Sequence, residues 1–217
     1  MQSISDKIKQ NLQVISQEVE PYRAKIVGVT KYYGLDVMQE AYRQGLRDFG
    51  ENKAIDAINK ISCLEEKIRK DSTFHFIGHL QSNKAKKVTG FFDYIHSVDS
   101  LNLAKEIAKA ADSKGVIQKV FIQVNNANEE QKFGIAPSQL NNLLDEIQKM
   151  NSIEVVGLMN MAPFIDDEFE LHRLFKEMYK LKEEYQLKEL SMGMSHDYKI
   201  ALEEGATIIR IGRKLFE

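Results

Sequence analysis

Eight short β-branched or apolar runs recur along this chain, and each is followed by a stretch whose apolar residues return every three or four positions. The runs are Lys25–Thr30, Arg47–Gly50, Phe74–Gly78, Tyr94–Ser97, Lys119–Asn125, Glu154–Met159, Glu189–Met192 and Thr207–Ile211. A run of that length suits a strand, and the three-to-four spacing suits one face of a helix. Ser100 stands where an N-cap belongs, before Leu103, Ala104, Ile107 and Ala111. Pro137 opens a stretch carrying Leu140, Leu143, Leu144 and Ile147, at a position where a missing N–H costs nothing. A longer stretch carries Leu171, Leu174, Phe175, Met178 and Leu181, and Asp36 is a candidate N-cap after Gly34. Parallel strands require crossovers, so this alternation predicts a parallel sheet. Eight units predict a closed (β/α)8 TIM-type barrel, with an open doubly wound sheet as the structural alternative.

Before the first run, Ile4, Ile8, Leu12, Ile15 and Val19 lie on one helical face that ends near Pro21. An extra N-terminal helix is therefore expected ahead of the barrel. No linker or low-complexity tract interrupts the 217 residues, which read as one domain over 1–217.

Apolar residues make up 43% of the chain, enough for a sizeable core. The 30 basic and 32 acidic side chains nearly cancel, which gives no electrostatic reason to expect nucleic acid or an acidic membrane as partner. Cys63 is the single cysteine, so an internal disulfide and a cysteine metal cluster are excluded. The polar start lacks the apolar segment of a signal peptide, and no stretch approaches the ~18 apolar residues of a membrane span. The expected location is cytoplasmic.

In barrels of this class the functional face is the C-terminal end of the strands. That face collects Lys31, Glu51, Asn52, His79, Gln81, Asn125, Lys132 and Met159–Met161. It also collects the loop Met192–Asp197 and the segment Arg210–Lys214. Loops after strands seven and eight commonly cradle a phosphate with backbone N–H groups. Gly193, Ser195, Gly212 and Arg213 fall there. Lys31 is expected to point across the mouth toward those loops. A lysine shielded from water becomes a nucleophile for aldehydes, so lysine plus phosphate cradle suits a phosphorylated aldehyde. His75 and His79 are two strand steps apart and have no carboxylate or cysteine pattern beside them, so no metal site is expected.

Seven ordered motifs then carry a resemblance: VGVTK at 27–31, FGEN at 49–52, HFIGHLQSNK at 75–84, KFG at 132–134, GLMNM at 157–161, MGMSHD at 192–197 and RIGRKLF at 210–216. Together they resemble the pyridoxal phosphate (PLP) homeostasis, or PLP-binding, protein family, whose fold matches the barrel domain of alanine racemase. The resemblance implies that PLP is the cofactor and that Lys31 carries it as an internal aldimine. It implies that Ser195, Gly212 and Arg213 hold the phosphate, that Arg210 faces the pyridine nitrogen, and that Asn52, Met159 and Met194 line the pocket. Arg213 departs from the family, where threonine is more usual, which leaves a backbone contact to phosphate and removes a hydroxyl one. The chain also stops at Glu217, where a glycine usually follows that phenylalanine.

An arginine cannot protonate a pyridine nitrogen, and an unprotonated ring is a poor electron sink. Racemases with this fold keep the same arginine but take a second acid–base group from a further domain, which is not expected here. A non-catalytic carrier of PLP, monomeric and serving PLP-dependent apoenzymes, is the first expectation. A PLP-dependent amino-acid racemase is the alternative, and a Schiff-base aldolase without cofactor is a third reading. Lys132 is expected to be a second amine that accepts PLP in transit.

Overall fold

The computed structural model describes residues 3–127, 129 and 131–217. Eight strands, all parallel, close into a barrel in chain order. They are β1 (Lys25–Val29), β2 (Asp48–Glu51), β3 (Thr73–Phe76), β4 (Tyr94–Val98), β5 (Gln118–Gln123), β6 (Ile153–Met159), β7 (Glu189–Ser191) and β8 (Ile208–Ile211). Closure is direct: β1 pairs with β8, and Val27 is in register with Arg210. The open sheet is thereby ruled out.

The helices are α1 (Ile4–Val19), α2 (Leu35–Arg43), α3 (Ala54–Ser62), α4 (Glu66–Asp71), α5 (Ala85–Val88), α6 (Leu101–Lys114), α7 (Leu140–Ile147), α8 (Glu168–Glu184), α9 (Tyr198–Glu203) and α10 (Arg213–Phe216). The stripes implied by the spacing are buried except at two ends, where Ile4 of α1 is exposed and Leu181 of α8 is half-buried. In α6 the Ser100 hydroxyl accepts the Leu103 N–H at 3.3 Å, and Leu103, Ala104, Ile107 and Ala111 face the core. In α8 the buried stripe is Leu171, Leu174, Phe175 and Met178, each side chain contributing about 2 kcal/mol on burial. The extra helix α1 buries Ile8, Leu12, Ile15 and Val19, and Pro21 sits in a 3-10 turn at its end.

Strand ends differ from expectation by one or two residues throughout, and three boundaries stand out. Helix α2 is capped by Gly34, with Asp36 already inside its first turn. Strand β3 stops at Phe76, short of Gly78, where the chain passes so tightly that an added Cβ would lie 2.2 Å from the Asn52 carbonyl oxygen. Strand β5 stops at Gln123, beyond which Val124 makes only an isolated bridge to Ile135.

Inside the barrel, side chains alternate with period two along each strand. One part of the interior is apolar, built from Val27, Phe121, Val156, Met159 and Ile208. The other part is polar: His75, His96, Ser191 and Arg210 are all buried and bonded to one another in sequence.

Candidate functional site

Along β1 the inward positions are Val27 and Val29, and the same period carries the chain to Lys31. Along β8 they are Ile208 and Arg210, and the next is Gly212. Since these strands are neighbours, Lys31 stands beside the Gly212 end of the barrel. It does not face that end across the mouth as expected. The pairing of β1 with β8 in the closed barrel is the physical reason.

The Lys31 segment is pinned from below. The Thr30 hydroxyl donates to Glu51 Oε1 at 2.6 Å, and Lys60 of α3 pairs with the same oxygen at 2.5 Å. The Lys60 ammonium also donates to the carbonyls of Thr30 at 2.8 Å and Tyr33 at 3.0 Å. Thr30 and Tyr33, on either side of the Lys31–Tyr32 pair, are thus held by one ion pair. Lys31 itself is half-buried, with its ammonium 4.9 Å from the centroid of the exposed Tyr32 ring.

At the end of β7, Gly193 adopts φ +89°, and its carbonyl accepts the Arg210 N–H at 2.9 Å. Met194 follows, half-buried, with its N–H donated to Asp197 Oδ1 at 2.5 Å. The Ser195 hydroxyl accepts the Lys214 N–H at 3.3 Å, which fastens the β7 loop to the start of α10. Ser195, Gly212 and Arg213 are therefore brought together, and Arg213, as the first helical residue, has an N–H with no intrahelical acceptor. The Arg213 side chain is exposed.

Arg210 is buried. Its Nη1 donates to Ser191 Oγ and its Nη2 to the Asn160 carbonyl, both at 2.7 Å. Burial pushes its pKa down to about 10, an effect opposed by Asp197, so the guanidinium remains a cation at neutral pH. Burial in turn raises the Asp197 carboxyl, against the Met194 N–H, His196 and Arg210, which favour its charged form. Asn52 follows β2, and its buried Oδ1 has no hydrogen-bond partner among the described residues. Met159 is buried in the apolar part of the barrel interior.

Lys132 lies apart in the loop after β5. It pairs with Glu129 and reaches the Met161 carbonyl at 3.5 Å. His75 and His79 part company: His75 is inside the barrel, while His79 lies outside β3, with its ring stacked on Phe133 at 3.6 Å and 3.6 Å from Asp99. Burial raises the Asp99 carboxyl, with His79 opposing. Among the described residues no group of three His, Cys, Asp or Glu has metal-binding geometry.

Sequence spacing did not single out Thr30, Lys60, Asp48, His96 or Ser191. For His96 and Ser191 a signal existed, because both fall on inward positions of their strands. For Lys60 there was none, since a lysine in the last turn of a helix reads as a solvated end.

A closed barrel with a lysine after β1, a buried arginine on β8 and loops after β7 and β8 drawn together defines the class of the alanine racemase N-terminal barrel. The family model described as alanine racemase, N-terminal domain, matches residues 5–216. The chain belongs to the pyridoxal phosphate homeostasis protein family. It is 39% identical to the pyridoxal phosphate homeostasis protein of Aquifex aeolicus over 199 residues, covering 89% of this chain and 86% of that one. Two solved structures of PipY from Synechococcus elongatus cover 97% of this chain and 100% of their own. The one without PLP is 36% identical with a TM-score of 0.91, and the one with PLP bound is 35% identical with a TM-score of 0.86. No helix is long and apolar enough to cross a membrane among the described residues.

Proposed function

We propose that this chain binds PLP covalently through Lys31 and serves to buffer and deliver it, without turnover. The observation that carries this reading is the placement of Arg210 on β8 and of Lys31 and Gly212 just beyond the ends of the adjacent strands β1 and β8, in a barrel whose 35%-identical neighbour was solved with PLP bound. When bound, PLP supplies an aldehyde for an amine and a pyridine ring able to withdraw electrons.

The residues fit the group. Asn52 Oδ1 is a buried acceptor without a donor, which is costly to leave unmade by about 1–3 kcal/mol. Arg210 has five N–H hydrogens, and its bonds to Ser191 and Asn160 leave hydrogens to donate to a ring nitrogen. The N–H of Arg213 and the hydroxyl of Ser195 lie in the loops drawn together at the end of β8 and suit a phosphate. Met194 and Met159 would supply apolar walls.

Absence of turnover is supported by Arg210. Even at a pKa of about 10, a guanidinium keeps its proton in preference to a pyridine, so the ring stays a weak electron sink. We assign the protein a cytoplasmic, monomeric role in supplying PLP-dependent apoenzymes, with the described barrel as the functional unit. Lys132, paired with Glu129, would be a transient acceptor of departing PLP.

The test is direct. Purified protein given PLP should acquire a near-visible band, and borohydride should fix the PLP mass on the Lys31 peptide. A colourless protein that takes up no PLP overturns the reading. The family model's description keeps a racemase reading in view. Holo-protein incubated with single L-amino acids in D2O should show no enzyme-like exchange at Cα–H, and exchange lost in Lys31→Ala would favour the racemase. Normal PLP release from Lys132→Ala would remove the transfer role.

A further inference from the structure

Arg210 is a buried cation that forms no ion pair among the described residues, yet its charge is answered at a distance. Its Nη1 donates to Ser191 Oγ at 2.7 Å. Ser191 Oγ lies 2.9 Å from His96 Nδ1, His96 Nε2 lies 2.9 Å from His75 Nδ1, and His75 Nε2 lies 3.0 Å from Asp48 Oδ1. The chain crosses five strands, from β8 through β7, β4 and β3 to β2. It leaves the barrel at Asp48, at the N-terminal end of its strand, on the face opposite the mouth.

With both rings neutral and Asp48 ionised, the donors run in one direction. Asp48 can only accept and Arg210 can only donate, so Ser191 receives the guanidinium hydrogen and passes its own to His96 Nδ1. His96 must then carry its proton on Nε2 and donate to His75 Nδ1, and His75 carries its proton on Nε2 and donates to the Asp48 carboxylate. Both rings are locked by stacking, His96 on Phe121 at 4.2 Å and His75 on Tyr94 at 4.9 Å. Burial, with His75 and Arg210 adding to it, holds the His96 pKa well below the ordinary histidine value, consistent with a ring that carries one proton. A broken link would leave a buried polar group unpaired, so the chain is held as a unit.

We infer that Asp48 is a positioning residue for the cofactor site, fixing the Arg210 guanidinium from the opposite face of the barrel through Ser191, His96 and His75. This rests on the PLP reading of the site. The charged groups around the chain are few. Asp48 lines a cavity of about 600 Å³ with Lys9, Glu20, Arg23 and Arg47. Lys119 sits over the Tyr94 ring that stacks on His75, and Asp197 acts on Arg210.

The first measurement needs no cofactor. Long-range 1H–15N spectra of the full-length protein should show His75 and His96 both protonated on Nε2 alone. Protonation of Nδ1 on either ring overturns the relay. The second is PLP titration. Asp48→Ala should weaken PLP binding roughly tenfold, the size of one charge-assisted hydrogen bond, and Asp48→Glu should restore it. Asp48→Asn keeps an acceptor for His75 and loses the charge, so it should fold normally and shift the near-visible band of the bound cofactor. Unchanged affinity in Asp48→Ala together with an unchanged band in Asp48→Asn overturns the positioning role. If the wild-type protein takes up no PLP, the cofactor reading fails, and the histidine spectra still decide the relay.

Discussion

Val27 of β1 is paired in register with Arg210 of β8 where the barrel closes. Two inward steps on from Val27 comes Lys31, and one inward step on from Arg210 comes Gly212. The amine, the guanidinium and the glycine proposed to hold the phosphate thus share one seam of the barrel, and the β1–β8 ladder fixes where the chain emerges toward Lys31 and Gly212. Side chains on such a frame can be changed without moving the frame, which makes the first expectation a clean one.

Lys31→Ala should abolish covalent PLP and leave the fold intact. The side chain is half-buried, and its charge only overlies an exposed ring, a contact worth about 0.5–1 kcal/mol. Mass spectrometry after borohydride should find no adduct, while urea denaturation of the cofactor-free protein should differ from wild type by less than about 1 kcal/mol.

Arg210→Lys should behave oppositely and harm the protein before any cofactor is added. A single ammonium lacks the planar fork that reaches Ser191 Oγ and the Asn160 carbonyl together. Each buried acceptor left unpaired costs about 1–3 kcal/mol. Urea denaturation should show a loss of about 2 kcal/mol or more in the cofactor-free variant, and an unchanged midpoint would contradict the bridging role of Arg210.

Much of this seam was readable from the residues. Strand and helix stripes follow from periods that backbone geometry imposes, so the positions of Lys31, Arg210 and Gly212 at strand ends came directly from pattern. One placement was misread: Lys31 was expected across the mouth from Gly212, although closing the eight predicted strands in chain order puts β1 beside β8 and makes the two neighbours. The polar interior was also hidden, because His75 and His96 on their own strands look like any buried histidines. Only the inter-strand register brings Asp48, Ser191 and Arg210 into line with them. Lys60 was invisible for a simpler reason: its partner Glu51 comes from another element.

That Lys60–Glu51 pair supports a third expectation. Lys60→Met removes the cation and leaves the buried Glu51 charge unpaired, at a cost of about 3 kcal/mol. Adding Glu51→Gln should recover part of the loss, since the uncompensated charge is gone. A double-mutant cycle by urea denaturation reads the difference, and additive losses would show that the two side chains do not act as a pair.

Acid should loosen the seat of α1 on the barrel. Glu40 of α2 accepts hydrogen bonds from Ser5 of α1, Gln44 and Arg43, and these hold its carboxyl at a pKa of about 2, below the ordinary 4.5. A depressed carboxyl contributes stability that is fully present above its unfolded value and is lost as pH falls through its folded one. Between about pH 4.5 and pH 2 the wild-type protein should therefore lose stability more steeply than Glu40→Gln. Denaturation curves at pH 5 and pH 3 for both proteins measure the slope, and parallel losses would dismiss the contribution of Glu40.

The β7 loop offers a comparison between strain and crowding. Gly193 and Gly115 both have positive φ, +89° and +63°, a region in which a side chain costs about 1–2 kcal/mol. At Gly115 an added Cβ meets nothing within 4 Å, so Gly115→Ala should cost only that strain. At Gly193 the same atom would lie 2.7 Å from Ala201 Cβ and 2.9 Å from Tyr198 Cα, and a backbone atom cannot move aside cheaply. Gly193→Ala should lose about 3 kcal/mol, combining strain and overpacking. The Gly193 carbonyl accepts the Arg210 N–H, and the Met194–Ser195 turn follows directly, so displacement there reaches both ends of the proposed cofactor site. PLP affinity should accordingly fall in Gly193→Ala and stay at the wild-type value in Gly115→Ala. Equal effects of the two substitutions on stability and on PLP affinity would show that the crowding around Gly193 does not shape the site.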